Sequence, residues 1–229
     1  MSKQLLQLPR NSDGSSYNVA FLRRDQQQVL AIVLQNIYAW LFGVQWSPLR
    51  LTVSGVAGSD KSTLIHTIVS TVRSSFQRND AVRVCGPTGS AAFSAGGETI
   101  HWLFSIKVHN MTEILSATTR ERLMQKFSNL VVLIVDERSM VGSELLAVME
   151  SFSHQTVHTG MNSSHPWGVI PVIILVGDDH QLPTKVLLML FFPYKTDFNC
   201  SSNVLVSTLL PGLLMSIIIF DFLQGLSCI

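Results

Sequence analysis

A glycine-rich loop followed by a lysine and two hydroxyl side chains is the segment of this sequence best suited to binding phosphate. Its residues are Gly55, Val56, Ala57, Gly58, Ser59, Asp60, Lys61, Ser62 and Thr63. The spacing is that of a phosphate-binding loop, GxxxxGK[ST], with Asp60 in place of the second glycine. Backbone N–H groups and a helix N-terminus surround the phosphates in such a loop. Lys61 is then expected to reach the β- and γ-phosphates and Ser62 to bind Mg²⁺. The alternative is an ordinary Gly/Ser turn.

A pair of acids follows a continuous apolar run further along the chain. The run 130–135 predicts a buried parallel strand, and Asp136 and Glu137 come directly after it. In a phosphoryl-transfer site, Asp136 would hold Mg²⁺ and Glu137 would polarise the attacking water. An acid pair at a helix N-terminus is the alternative interpretation.

Two other predicted strand ends also carry polar groups. After the apolar run 169–176, Gln181 is placed to hydrogen-bond the γ-phosphate or the attacking water. Thr88 and Thr99 follow weaker strands and can donate to phosphate oxygens of a nucleic acid. The ring of His101, with its aromatic neighbours, is suited to base stacking. Tight packing of a strand against a helix explains these last residues equally well.

A parallel sheet is required to bring these segments together. Apolar runs and alternation predict strands at 49–53, 82–85, near Thr99, at 130–135 and at 169–176. A helical period predicts helices over 25–40, 61–76, 113–127 and 144–152, the last with Ser143 as N-cap, and a polar loop over 156–167. The alternation of strands and helices predicts an α/β fold, a parallel sheet with helices on both faces. Ligands of such sheets lie at the carboxyl ends of the strands.

Composition limits the classes of function. The chain has 229 residues, of which 47% are hydrophobic and 14% charged, which argues for a packed interior and against a disordered protein. Because the formal net charge is only +1, nucleic-acid binding must depend on a local patch of charge. Three scattered cysteines favour a reducing compartment, and no secretion signal is expected.

The composition changes after Pro183. Residues 184–229 form a hydrophobic tail, and its segment 204–220 approaches the length of a membrane span. Ser207, Pro211 and Gly212 interrupt that segment, so a buried segment is favoured over a membrane anchor.

Taken together, these motifs resemble those of superfamily 1B ATP-dependent DNA helicases of the petite-integration-frequency type and their Helitron relatives. The resemblance covers the phosphate loop, the segment Pro87–His101, the segment Leu133–Met140 and the segment Leu175–Pro183. It implies a P-loop NTPase, RecA-like lobe over residues 21–183, preceded by an N-terminal tail over 1–20 and followed by the divergent tail 184–229.

The resemblance also implies an activity and a set of roles. It implies hydrolysis of ATP with Mg²⁺, coupled to 5′→3′ movement along single-stranded DNA and to duplex opening. Thr88 and His101 match segments that touch the DNA strand, and Gln26 matches the adenine-reading position. No metal site beyond Mg-ATP is expected. Family roles in DNA repair, recombination and telomere maintenance suggest a nuclear location.

Three departures from the pattern leave other functions open. Asp60 replaces a glycine, Arg138 replaces an apolar residue and Thr184 replaces a proline. No motifs of a second RecA-like lobe follow Pro183. The alternatives are a single-stranded DNA-binding remnant without catalysis and, less favoured, a membrane-associated protein anchored through 204–220.

Replacing Asp60 with glycine is expected to tighten ATP binding by about tenfold or more. A carboxylate about 5 Å from a phosphate, at an effective dielectric constant near 20, costs roughly 3 kcal/mol. An equilibrium titration with a fluorescent ATP analogue measures the change, and equal affinities for the two proteins would contradict it.

The isolated chain is expected to show no strand separation, because translocation needs two lobes that open and close around ATP. A forked-duplex unwinding assay tests this. Unwinding that persists after removal of contaminating helicases would refute it.

Overall fold

A mostly parallel sheet of seven strands organises the described part of the chain. The computed structural model describes residues 19, 22–44, 46–56, 58–107, 115–157 and 167–178, and the backbone of 205–208 and 215–220. The strands are β1 (Leu49–Gly55), β2 (Val82–Gly86), β3 (Glu98–Thr99), β4 (Val132–Val135), β5 (Val172–Gly177), β6 (Leu205–Thr208) and β7 (Met215–Phe220). Their order across the sheet is β3-β2-β4-β5-β1-β7-β6. The five strands from β3 to β1 are parallel.

Helices cover both faces of the sheet, as the sequence predicts. They are α1 (Arg24–Leu41), α2 (Lys61–Phe76), α3 (Gly89–Ser94), α4 (Ile100–Phe104), α5 (Ala117–Phe127) and α6 (Ser143–Thr156). Buried side chains of α1 and α2 pack on one face of the sheet, and those of α4, α5 and α6 pack on the other. The α/β fold class is therefore confirmed.

The continuous apolar runs arise because the strands are buried on both faces. Along β4, Val132 and Ile134 face the α1–α2 side, while Leu133 and Val135 face the α4–α6 side. All four are buried. A strand that packs against helices on both sides has no solvent face to place polar residues on, which is why its sequence does not alternate.

The sequence of strand β1 alternates between apolar and polar residues for a different reason. The guanidinium of Arg50 donates to the carbonyl oxygens of Leu49 at 3.1 Å and Ile170 at 2.9 Å. Burial lowers the pKa of Arg50 to about 10, and the negative charge of Glu150 partly offsets this effect. The polar residue in this strand is therefore held by backbone acceptors and does not indicate an exposed edge.

Two predicted element bounds are wrong because of local backbone geometry. The strand predicted from residue 169 begins at Val172, since Trp167, Gly168 and Val169 have φ values of 64°, 58° and 51° and form a left-handed turn. The predicted helix 113–127 begins only at Ala117, because Ser116 has an extended backbone and its hydroxyl accepts the N–H of Thr119 at 3.3 Å.

The last predicted helix is longer than its pattern indicates. Helix α6 spans Ser143–Thr156, so Ser143 is its first residue and Gly142, with φ −69° and ψ 155°, is the N-cap. The prediction of Ser143 as N-cap is therefore wrong. Within the predicted loop 156–167, residues 158–166 lie outside the described residues.

The strand predicted from residue 130 begins at Val132.

The backbone of the hydrophobic tail extends the sheet. Strand β7 pairs antiparallel with β1, and β6 pairs antiparallel with β7. In the described part of the chain, no helix has the length and apolar character needed to cross a membrane.

Replacing Phe127 with alanine is expected to lower the free energy of unfolding by about 3–5 kcal/mol. Phe127 is 1% exposed and packs edge-on against Phe104 with ring centroids 5.3 Å apart. The matched control is Phe93→Ala, where the ring is 87% exposed and the expected change is within about 0.5 kcal/mol. Denaturant unfolding measures both, and equal losses would contradict the packing described here.

Candidate nucleotide and DNA site

The register of the sheet places three functional strand ends side by side. Ser54 of β1 lies opposite Gly177 of β5, and Val135 of β4 lies opposite Leu175 of β5. The phosphate loop follows β1, the acid pair follows β4, and the buried Asp178 follows the strand between them. The carboxyl edge of the sheet therefore gathers the groups that the sequence predicts to act together.

The phosphate loop contains backbone conformations that explain its glycines. Gly58 has φ +78°, and a Cβ at Gly55 would collide with the hydroxyl of Ser59. Asp60 has φ 54° and ψ 34°, in the left-handed region that favours glycine. Aspartate tolerates this region better than most residues, so the loop keeps its shape while an exposed carboxylate replaces a hydrogen atom.

Lys61 folds back onto the loop that precedes it. Its ammonium donates to the carbonyl oxygens of Gly55 at 2.7 Å and Val56 at 3.2 Å. Ser62, at the second position of α2, is exposed. The lysine therefore lies within the loop itself, where a bound phosphate chain would compete with these two carbonyls for its charge.

The acid pair combines a buried carboxylate with a strained backbone. Asp136 is buried, and its Oδ1 accepts the N–H of Glu137 at 2.9 Å. Burial raises the pKa of Asp136, whereas this hydrogen bond and the positive charge of Lys61 lower it. Glu137 has φ 53°, an uncommon value for a residue with a side chain. Its Oε2 is buried and has no hydrogen-bond partner among the described residues.

The start of α1 is tied to the phosphate loop. Gln26 is 1% exposed, and its amide nitrogen donates to the carbonyl oxygens of Ser59 at 3.3 Å and Asp60 at 3.2 Å. The guanidinium of Arg23 donates to the same Ser59 carbonyl at 2.8 Å. The side-chain carbonyl oxygen of Gln26, Oε1, accepts the backbone N–H of Arg23 at 3.0 Å. Gln26 therefore positions the loop backbone; its predicted role in reading adenine stays a prediction.

Arg138 bridges two strand ends. Its guanidinium donates to the hydroxyl of Ser54 at 2.9 Å, and its side chain occupies the space that a Cβ at Gly177 would need. The three-residue turn Arg138–Met140 places this partly buried side chain across the neighbouring strands. It links the acid-pair segment to the residue that precedes the phosphate loop.

The predicted DNA-contacting residues lie at the next two strand ends. Thr88 follows β2, and its hydroxyl oxygen accepts the N–H of Ala91 at 3.2 Å, which caps α3. Thr99 ends β3 and caps α4 by accepting the N–H of Trp102 at 3.3 Å. Because β2 and β3 pair through Gly86 and Thr99, both hydroxyls lie at one side of the carboxyl edge, and His101 is the second residue of the adjoining helix.

The described members of the predicted site follow the carboxyl ends of strands in one sheet, apart from Gln26, which lies on α1; their roles stay a prediction. Gln181 and Ala57 lie outside the described residues. Sequence reasoning missed the loop contact of Arg23. The only signal for it was an arginine at a helix N-cap, a position that Ser, Thr, Asp or Asn usually fills.

Comparisons with known proteins agree with this geometry. The model of the PIF1-like helicase family matches residues 21–186. The ATP-dependent DNA helicase RRM3 of Saccharomyces cerevisiae is 31% identical over 133 residues, covering 57% of this chain and 18% of RRM3. The crystal structure of Pif1 helicase from Candida albicans has a TM-score of 0.56 and 28% identity, covering 72% of this chain and 34% of that one. Bacteroides Pif1 bound to single-stranded DNA has a TM-score of 0.50 and 26% identity, over 71% of this chain and 33% of that one.

These matches support the resemblance drawn from the motifs. The chain spans less than a fifth of RRM3 and about a third of each of the two crystallised Pif1 chains. Because the family model covers the phosphate loop, the acid pair and both threonine-capped helices, the chain belongs to the PIF1-like helicase family.

Proposed function

We propose that this chain binds ATP with Mg²⁺ at the phosphate loop and hydrolyses it as the first RecA-like lobe of a 5′→3′ DNA helicase. The observation that carries the proposal is that the phosphate loop and the acid pair follow β1 and β4, which end at the same edge of the sheet. Although Lys61 and Asp136 are 75 positions apart in the sequence, the positive charge of Lys61 acts there to lower the pKa of Asp136, against the larger effect of burial.

The residues present fit a magnesium ion and a triphosphate. Oxygen donors are what Mg²⁺ prefers, and Ser62 and Asp136 supply one from each side of the site. The buried Oε2 of Glu137, which lacks a described hydrogen-bond partner, is suited to a water molecule in the site. Bound Mg²⁺ would neutralise charge on the β- and γ-phosphate oxygens.

Each residue then has a defined part in the reaction. Lys61 moves from the carbonyls of its own loop to the β- and γ-phosphates, with the N–H groups of the loop around them. Glu137 orients the attacking water and accepts its proton as the bond between the γ-phosphorus and the bridging oxygen breaks. Gln26 and Arg23 hold the carbonyls of Ser59 and Asp60, so that the loop N–H groups stay directed at the phosphates.

Single-stranded DNA is the polymer along which this lobe is proposed to move. Thr88 and Thr99 use their oxygen atoms as helix caps, which leaves the hydroxyl hydrogen of Thr99 available to a phosphate oxygen. The relative from Bacteroides that binds single-stranded DNA shares the fold of this lobe. The proposed DNA contacts follow β2 and β3, and the proposed nucleotide site follows β1 and β4. All four strands belong to one sheet, so a change at one strand end can reach another.

Binding of DNA without ATP turnover is the second candidate function, and Asp60 is the observation that favours it. Its carboxylate is exposed in the loop that must surround a polyanion. DNA affinity that does not respond to ATP and Mg²⁺ would favour this second candidate over the first.

Replacing Lys61 with alanine is expected to weaken binding of a fluorescent ATP analogue with Mg²⁺ by about tenfold or more. A hydrogen bond to a charged group contributes about 1.5–3 kcal/mol, which corresponds to roughly 10- to 100-fold in affinity. An equilibrium titration of the full chain measures the change.

Lys107→Ala is the matched control, since Lys107 is exposed and lies beyond α4, away from the phosphate loop. Its affinity is expected to stay within about twofold of the unchanged chain. Saturable binding that survives Lys61→Ala, or no saturable binding by the folded chain, would refute the nucleotide half of the proposal.

A further inference from the structure

A depression on the α4–α5 side of the sheet lies next to the predicted DNA contacts. It has a volume of about 350 Å³. Its lining residues are His101, Trp102, Ser105, Ile106, Arg122 and Lys126. This volume falls at the lower end of the range of about 300–1,000 Å³ that is typical of small-molecule sites.

One wall of the depression is an unusually exposed tryptophan. Trp102 is 72% exposed, while Leu103 and Phe104, the next two residues of α4, are fully buried. Within the described residues the indole has no aromatic partner. A large flat ring kept in solvent beside two packed neighbours is the arrangement on which an unpaired base stacks.

Helix α5 supplies basic side chains to the lining of the depression. Lys126 donates to Glu98 at 2.8 Å and to the carbonyl oxygen of Leu103 at 3.3 Å, so its charge is already partnered. Arg122 lies one turn earlier on α5, is exposed, and makes no hydrogen bond or ion pair within the part of the chain that the structure describes. The net charge available to a ligand at this part of the lining is therefore that of Arg122.

The depression also continues the predicted path of the DNA. The backbone N–H of Trp102 is the group that the Thr99 hydroxyl accepts, so the residue that carries the exposed ring lies directly beside one of the two threonines. A strand that passes Thr99 would therefore reach Trp102, and Arg122 lines the same depression.

We propose that this depression binds one nucleotide of single-stranded DNA, with the base stacked on Trp102 and the phosphate held by Arg122. The proposal rests on the proposed function, since it needs a DNA strand at the β3 end of the sheet. It adds a site that fixes the position of the DNA strand along this lobe. Its chemistry, an aromatic face with one cation, selects an unpaired base and excludes duplex DNA.

The test is a fluorescence-anisotropy titration of the full chain with a labelled oligothymidylate of about 12 nucleotides, at several salt concentrations and without ATP. Arg122→Glu is expected to weaken binding about fivefold or more and to reduce the slope of log affinity against log salt by about 0.7. Arg120→Glu is the matched control. Arg120 lies on the opposite face of the same helix, toward Gln155, and the reversal changes the net charge equally.

Trp102→Ala is expected to weaken binding by about fivefold or more, while Trp102→Phe, which keeps a ring, retains most of the affinity. Because the ring is exposed, the thermal unfolding midpoint is expected to stay unchanged in both variants. The two variants thus distinguish a loss of base stacking from a loss of folded protein.

The outcomes distinguish the two proposals. Equal weakening by Arg122→Glu and Arg120→Glu, or unchanged binding by Trp102→Ala, would overturn this site while the unchanged chain still binds DNA. If the unchanged chain binds no oligonucleotide, the DNA half of the proposed function fails and this site fails with it.

Discussion

The parallel register of the central strands is the constraint on which the rest of the structure depends. Ser54 of β1 pairs with Gly177, the last residue of β5, and Val135, the last residue of β4, pairs with Leu175, so loops that are distant in sequence emerge next to one another. Hydrophobic burial on both faces fixes this register, because a slip of one residue would exchange the two sets of buried side chains. The phosphate loop and the acid pair meet only because the apolar strands below them cannot slide.

The phosphate loop is held by residues at the start of α1 as well as by the sheet. A loop that presents its N–H groups to a ligand must turn its carbonyls the other way, and those carbonyls need donors. Gln26 and Arg23 supply donors to Ser59 and Asp60, and Lys61 supplies one to Gly55. The first two contacts come from α1 and can persist when a ligand binds, whereas the lysine must change partners. The loop is therefore preorganised at one end and adjustable at the other.

Much of this arrangement was predictable from the sequence, and the exceptions have physical reasons. Apolar runs and the loop spacing predicted β1, β4 and β5 and the residues that follow them, because burial on two faces and left-handed loop positions leave clear sequence signatures. The reach of Arg138 to Ser54 was not predictable, since it depends on which strands are neighbours in space. The left-handed turn before β5 was also hidden, because Trp167 and Val169 are not residues that normally indicate one.

Local pairing of charge explains how a nearly neutral chain could bind a polyanion at one edge. Glu98 forms ion pairs with Arg83 at 3.5 Å and Lys126 at 2.8 Å, so one carboxylate offsets part of the positive charge of these two side chains near the end of β3. The carboxylate lowers the positive charge at this edge, so in the proposed DNA site hydroxyl contacts and stacking would supply part of the affinity. Such binding depends less on salt than that of a strongly basic protein, because fewer counterions are released when the strand is bound. If the chain acts as the proposed helicase lobe, weak contacts of this kind suit it better than a dense basic patch, because the lobe would have to release the DNA strand in every cycle.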